Sequence, residues 1–210
     1  MKKLTITLIA MLTFALFIST SSASVLEDAI QRGYDQGLTR YYTTSSFRPY
    51  DTLRRDEAAK FFVEFAETQN FRNTSTSTLQ SCSFSDQKRV IEDLKPYVQD
   101  ACRYNIIRGA NGKYMPDQTL TNAQAVTILI RILDGLQSEN GNHRADNYYS
   151  RAKSLGLDIS KFSIKDNPTT RGNVMTLMYL SANSSLNNRG TSGNRDIDEI
   201  LKELTDILSS

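Results

Sequence analysis

One short polar element occurs three times along the chain, and this internal repetition limits the possible folds more than any other feature. The first copy reads Phe47-Arg48-Pro49-Tyr50-Asp51-Thr52-Leu53-Arg54-Arg55-Asp56-Glu57. The second reads Tyr114-Met115-Pro116-Asp117-Gln118-Thr119-Leu120-Thr121-Asn122-Ala123-Gln124 and aligns with the first without gaps. The third, Ser163-Ile164-Lys165-Asp166-Asn167-Pro168-Thr169-Thr170-Arg171-Gly172-Asn173, keeps an Asp, the Thr-Arg pair and a polar closing residue. A unit this small has too little apolar surface to fold alone, so the copies must share a core.

The residues around each element repeat as well. The positions one, four, five and eight beyond the element are Ala58, Phe61, Phe62, Phe65, then Ala125, Ile128, Leu129, Ile132, then Val174, Leu177, Met178, Ser181. That spacing puts an apolar stripe on one face of a helix. Thr121-x-x-Gln124 has the spacing of a capping box, with weaker versions at Arg54 and Thr170. A second helix precedes each element. Its stripes are Leu26, Ala29, Ile30, Gly33; Leu94, Tyr97, Val98, Ala101; and Ala145, Tyr148, Tyr149, Ala152. These stripes run to Gly37, Asn105 and Gly156, residues that accept the left-handed conformation closing a helix. The fold class expected is therefore all-α, with helix–loop–helix repeats over 24–69, 82–136 and 145–182. Polar connectors are expected at Asn70 to Ser81 and Gln137 to Arg144, and a linker over 183–195. A C-terminal amphipathic helix over 196–210 carries Ile197, Ile200, Leu201, Leu204 and Leu208 on one face. It docks on its own domain or binds a partner.

The N-terminus has the order of a secretory signal peptide. Lys2 and Lys3 precede an apolar run from Leu4 to Ile18, and Ser21-Ser22-Ala23 supplies the small residues of a cleavage site after Ala23. A retained anchor is the alternative, but the run falls short of the roughly 20 apolar residues a spanning helix needs. No later segment is long and apolar enough to span. The chain's net charge of +2 lies wholly in those two lysines, so residues 24–210 carry equal numbers of acids and bases. No basic footprint for nucleic acid remains. Export also bears on Cys82 and Cys102, an even count that in an oxidising compartment forms a disulfide. Two free, partly buried thiols are the alternative.

The repeats resemble the S-layer homology family. The middle copy carries most of the signature: Cys82-Ser83-Phe84-Ser85-Asp86 at the aromatic-x-Asp start, Ala101 to Asn105-Ile106-Ile107-Arg108-Gly109, Tyr114-Met115-Pro116-Asp117, and Leu120 to Gln124 at the helix opening. The first copy has Phe47-Arg48-Pro49 and Leu53 to Glu57, and the third has Thr170-Arg171; the resemblance spans residues 25–182. It implies a pseudo-threefold all-α prism that binds secondary cell-wall polysaccharide, often a pyruvylated one, in grooves between repeats. It also implies that Arg55 and Arg171 stand at the ligand-gripping arginine and Gly109, beside Arg108, at the motif glycine. Asn122 occupies the arginine position in the middle copy, so one groove lacks its fixed cation. An arginine fork suits a ketal carboxylate because it donates two charge-assisted hydrogen bonds.

Each of these residues also has a plainer reading. Arg55 and Arg171 are alternatively surface arginines paired with a neighbouring acid, and Arg108-Gly109 a simple turn. Tyr41, Tyr42, Tyr114, Tyr148 and Tyr149 either stack on sugar rings or edge the core. No nucleophile elbow, Cys–His pairing, phosphate-cradling loop or His/Cys metal cluster is present in the sequence, and no cofactor or catalytic role is expected. The function expected is non-covalent attachment at the cell surface. A structural surface protein, whose repeats or C-terminal helix bind other surface proteins, is the alternative.

Overall fold

The computed structural model describes residues 21–69 and 82–193, with side chains over 25–69 and 82–183. Most of the signal segment, the connector Asn70 to Ser81 and the C-terminal helix over 196–210 lie outside the described residues. Among the described residues the chain is all-α. Its helices are α1 (Ser21–Asp35), the single-turn α2 (Thr44–Phe47), α3 (Arg55–Thr68), α4 (Lys95–Arg103), α5 (Asn122–Asp134), α6 (Asp146–Ser154) and α7 (Arg171–Gly193). The β-bridges are isolated pairs.

The helix boundaries follow from local chemistry. Pro96 sits in the first turn of α4, where its missing N–H costs nothing. Thr121 Oγ1 accepts from the Gln124 N–H (3.3 Å) while Gln124 Oε1 accepts from the Thr121 N–H (3.1 Å), completing a capping box on α5. The other two helices each keep half of it. Glu57 Oε2 accepts from the Arg54 N–H on α3, and Thr170 Oγ1 from the Asn173 N–H on α7. Gly37, Asn105 and Gly156 all have positive φ (78°, 58° and 73°), closing the first helix of each copy.

The first helix of each copy packs on the second helix of another copy. α3 packs on α4, α5 on α6, and α7 on α1. Polar contacts repeat with the packing: Tyr97 Oη on α4 donates to Glu64 Oε1 on α3 (2.8 Å), and Arg131 Nε on α5 donates to Tyr148 Oη on α6 (3.2 Å). The apolar stripes meet in one core that includes Phe47, Phe62, Phe65, Ile106, Leu120, Leu129, Tyr114 and Tyr148.

The polar elements close a ring. The Leu53 N–H donates to Thr169 O (3.1 Å), the Thr169 N–H to Leu120 O (2.9 Å), and the Leu120 N–H to Leu53 O (2.7 Å). Leu53, Leu120 and Thr169 are register equivalents. A second set follows: Arg55 N–H to Gln118 O, Asn122 N–H to Asn167 O, and Arg171 N–H to Asp51 O, each at 2.9 Å. Ladders this short satisfy the buried backbone where three helix starts converge.

Two expectations meet definite outcomes. Cys82 and Cys102 form a disulfide, with the sulfurs 2.08 Å apart, tying the start of the second copy to α4. The linker expected over 183–195 is instead helical as far as Gly193, because α7 continues through it. Asn and Ser are weak helix formers, but extending a formed helix gains one hydrogen bond per residue fixed, without the cost of a new nucleus.

Candidate functional site

The start of α3 and the start of α7 place Arg55 and Arg171 inward. Arg55 is 4 % exposed. Its Nε donates to Tyr114 O (3.0 Å) and its Nη2 to Arg108 O (3.1 Å), and the guanidinium lies over the Tyr114 ring at 5.2 Å. Tyr114 Oη donates back to Arg55 O (3.0 Å). Arg171 repeats the arrangement from the third copy to the first: Nε donates to Phe47 O (2.9 Å), and the guanidinium lies over the Phe47 ring at 5.1 Å. It also pairs with Glu57 at 3.1 Å, with 11 % of its side chain exposed. Asn122, at the same register, is 5 % exposed, and its Nδ2 donates to Ile164 O (3.0 Å). So each copy holds the next copy's element by a side-chain donor to a backbone carbonyl. Burial lowers the Arg55 pKa, against the opposing charges of Tyr114 and Asp86; an arginine nonetheless stays protonated in a protein.

Two grooves lie at equivalent places in this arrangement. The first, of about 550 Å³, runs from Leu38 to Tyr41 past Arg48, Glu57 and Lys60, with Arg171 at its base. The second, of about 700 Å³, runs from Ile107 to Ala110 past Gln124 and Arg131 to His143 and Arg144, with Arg55 at its base. Each is therefore built from one copy's loop and second helix, the preceding copy's motif residue in the ring and the next copy's start. Asn122 lines neither.

The turn bearing Arg108 and Gly109 is fixed on several sides. Arg55 holds the Arg108 carbonyl, and Arg108 Nε donates to Asn105 Oδ1 (2.6 Å). A Cβ on Gly109 would lie 2.5 Å from Lys113 O and 2.5 Å from the Phe84 ring, so glycine is required there by packing alone. Asp86 anchors the opposite side, accepting from the Tyr114 and Met115 N–H groups at 2.8 Å each. Burial works to raise the Asp86 pKa, but those two N–H groups and Arg89 outweigh it and hold the carboxyl below its usual range.

Sequence reasoning passed over Arg131. It is buried and donates to Tyr148 Oη, Ile106 O (3.1 Å) and Glu139 Oε1 (2.9 Å), bracing the wall of the second groove. No signal in one sequence marks it, since its register equivalent is Glu64. Among the tyrosines, Tyr114, Tyr148 and Tyr149 are buried, whereas Tyr41 (37 % exposed) and Tyr42 (62 % exposed) face solvent, Tyr41 on the first groove. Among the described residues no group of three His, Cys, Asp or Glu side chains is placed to hold a metal ion.

The chain matches no protein-family model, and no curated protein matches it.

Proposed function

We propose that this is an exported protein that attaches non-covalently to the bacterial cell surface by binding cell-wall polysaccharide, pyruvylated or not. In this reading three S-layer-homology-like repeats form a pseudo-threefold prism whose inter-repeat grooves receive the glycan. The observation that carries it is the pair of equivalent grooves, each with a motif arginine at its base, set around a closed ring of backbone hydrogen bonds. A polymer of sugars suits such grooves. They are open and lined by both polar and apolar residues.

Arg55 and Arg171 take a positioning role here. Their guanidiniums fasten the elements that form the groove walls, and Asn122 fastens the third element without contributing charge. Gly109 keeps the Arg108 turn against Phe84. The residues that would meet the glycan stand further out, Arg108 on the second groove and Tyr41 on the first.

Sedimentation with purified cell walls tests the reading. The mature protein is expected to pellet with intact walls and to stay in solution with walls stripped of polysaccharide. Equal pelleting with both preparations would overturn it.

A further inference from the structure

We propose that the chain fills a third groove from within: residues 196–210 dock by their apolar stripe between α7 and the turn that follows α6. This goes beyond wall attachment and stands without it, because it concerns the groove that no motif arginine serves.

The third groove, of about 240 Å³, is lined by Leu157 and Asp158 from the turn and by Leu177, Leu180 and Asn183 from α7. It is the third copy's counterpart of the other two, with Leu157 in the register of Leu38 and Leu177 in that of Phe61 and Ile128. Its chemistry differs. The turn position held by Arg40 and Arg108 is Ile159 here, 5 % exposed, and the helix position held by Glu64 and Arg131 is Leu180. Asn122 takes the place of the motif arginine. The charges that mark the other two grooves are therefore replaced by aliphatic side chains, and such a surface gains from an apolar occupant.

The chain supplies one. α7 forms a wall of this groove and runs on to Gly193, and Ile197, Ile200, Leu201, Leu204 and Leu208 follow at helical spacing. From Asn183 to Gly193 a helix rises about 15 Å, and from Ile197 to Leu208 a returning helix descends about 16 Å. A turn at Asn194 and Arg195, short as connections in helical hairpins are, thus brings Leu208 level with Asn183 and Leu204 one turn short of it. So short a connection also makes the encounter intramolecular, which favours this segment over one from another molecule. Charge agrees. Residues 196–210 hold five acids against Lys202 alone. Beside the groove Arg32 donates to Asn183 Oδ1 (3.1 Å), and Lys153 stands where its carbonyl receives the Gly156 N–H. Among the described residues neither cation has a carboxylate partner, so the acids of the segment are drawn to this side of the molecule.

The contact is tested in the full chain with Leu208 replaced by the photo-crosslinker p-benzoylphenylalanine. Irradiation is expected to join position 208 to residues 156–158 or 177–183 of the same molecule, located by peptide mapping. A covalent dimer would place the segment on a second copy, and products elsewhere in the chain, or none, would leave the groove without this occupant; each result overturns the proposal. Hydrogen exchange of Leu204→Lys/Leu208→Lys gives an independent readout, since neither residue belongs to the core of the repeats. Amides over 174–183 are expected to exchange at least about tenfold faster than in the wild type, with those of α3 and α5 unchanged. Unchanged exchange along α7 would sink the docking, and so would equal acceleration in every helix. Sedimentation with walls reads the two arginine grooves, so its failure leaves this result standing, and failure here leaves wall attachment standing.

Discussion

At the residue scale, a motif arginine in repeat register reads the same in sequence whether it grips a ligand or a carbonyl. The difference lies in burial, which register does not encode. Arg55 spends its Nε and Nη2 on Tyr114 O and Arg108 O, so Arg55→Ala leaves two inward carbonyls without donors. The expected cost is about 2–4 kcal/mol, read from urea unfolding, because charge-assisted bonds contribute more than neutral ones and their stranded partners add to the loss. Arg55→Lys should recover part of it, since one donor can still reach a carbonyl. Had Arg55 been a solvent-facing ligand residue, R55A would leave stability unchanged. Asp86 gives a second prediction, one of pH. Its folded pKa lies below the ordinary 3.8, so its stabilisation is fully present above 3.8 and is lost as the pH falls through the lower folded value. Asp86→Asn should be less stable than wild type at neutral pH and should lose less on acidification. A parallel pH series of urea midpoints for the two proteins checks this.

At the element scale, the apolar stripes located both helices of every copy, because burial of one face imposes the 3.6-residue period whatever the partner. The partner itself was not legible. Leu94, Tyr97, Val98 and Ala101 make the same stripe whether α4 packs on its own copy or, as it does, on α3 of the copy before. The Glu64–Tyr97 and Arg131–Tyr148 contacts show why charge could not help: the same position is acidic in one copy and basic in the next, and a tyrosine hydroxyl serves both. Accepting by Glu64, followed by burial, pushes Tyr97 up to about 12. The stretch from Asn183 to Gly193 was misread for a related reason, since its polar composition signals a loop while α7 behind it supplies the nucleus. Capping was legible at Thr121, whose spacing to Gln124 foretold both hydrogen bonds. Thr121→Ala should cost about 1 kcal/mol by thermal or urea unfolding. The disulfide acts at this scale too, closing a loop with a sequence separation of 20 onto α4. Reduction should lower stability by roughly 3 kcal/mol if unfolded-chain entropy dominates.

At the scale of the whole molecule, the repeats are not beads on a string. In an open solenoid each repeat meets only its neighbours, and removing a terminal one leaves the others folded. Among the described residues the last helix returns to the first: α7 covers α1, and Thr169 both receives from Leu53 and donates to Leu120. Each copy therefore borrows its packing partner from another copy, and every copy is interior to the ring. Deleting the third repeat would strip α1 of α7 and α5 of α6, and would leave the Leu53 N–H and the Leu120 carbonyl without partners. A chain ending at Arg144 should consequently show no cooperative urea transition by far-UV circular dichroism, whereas the intact chain should unfold in a single step. A truncated chain that still melts sharply would mean that the first two repeats form a unit of their own. The same closure bears on the proposed glycan binding, because the first groove has Arg171 from the third copy at its base although its walls belong to the first two. Loss of the third repeat should then abolish that groove along with the fold, and no pair of repeats should bind with a fraction of the full affinity.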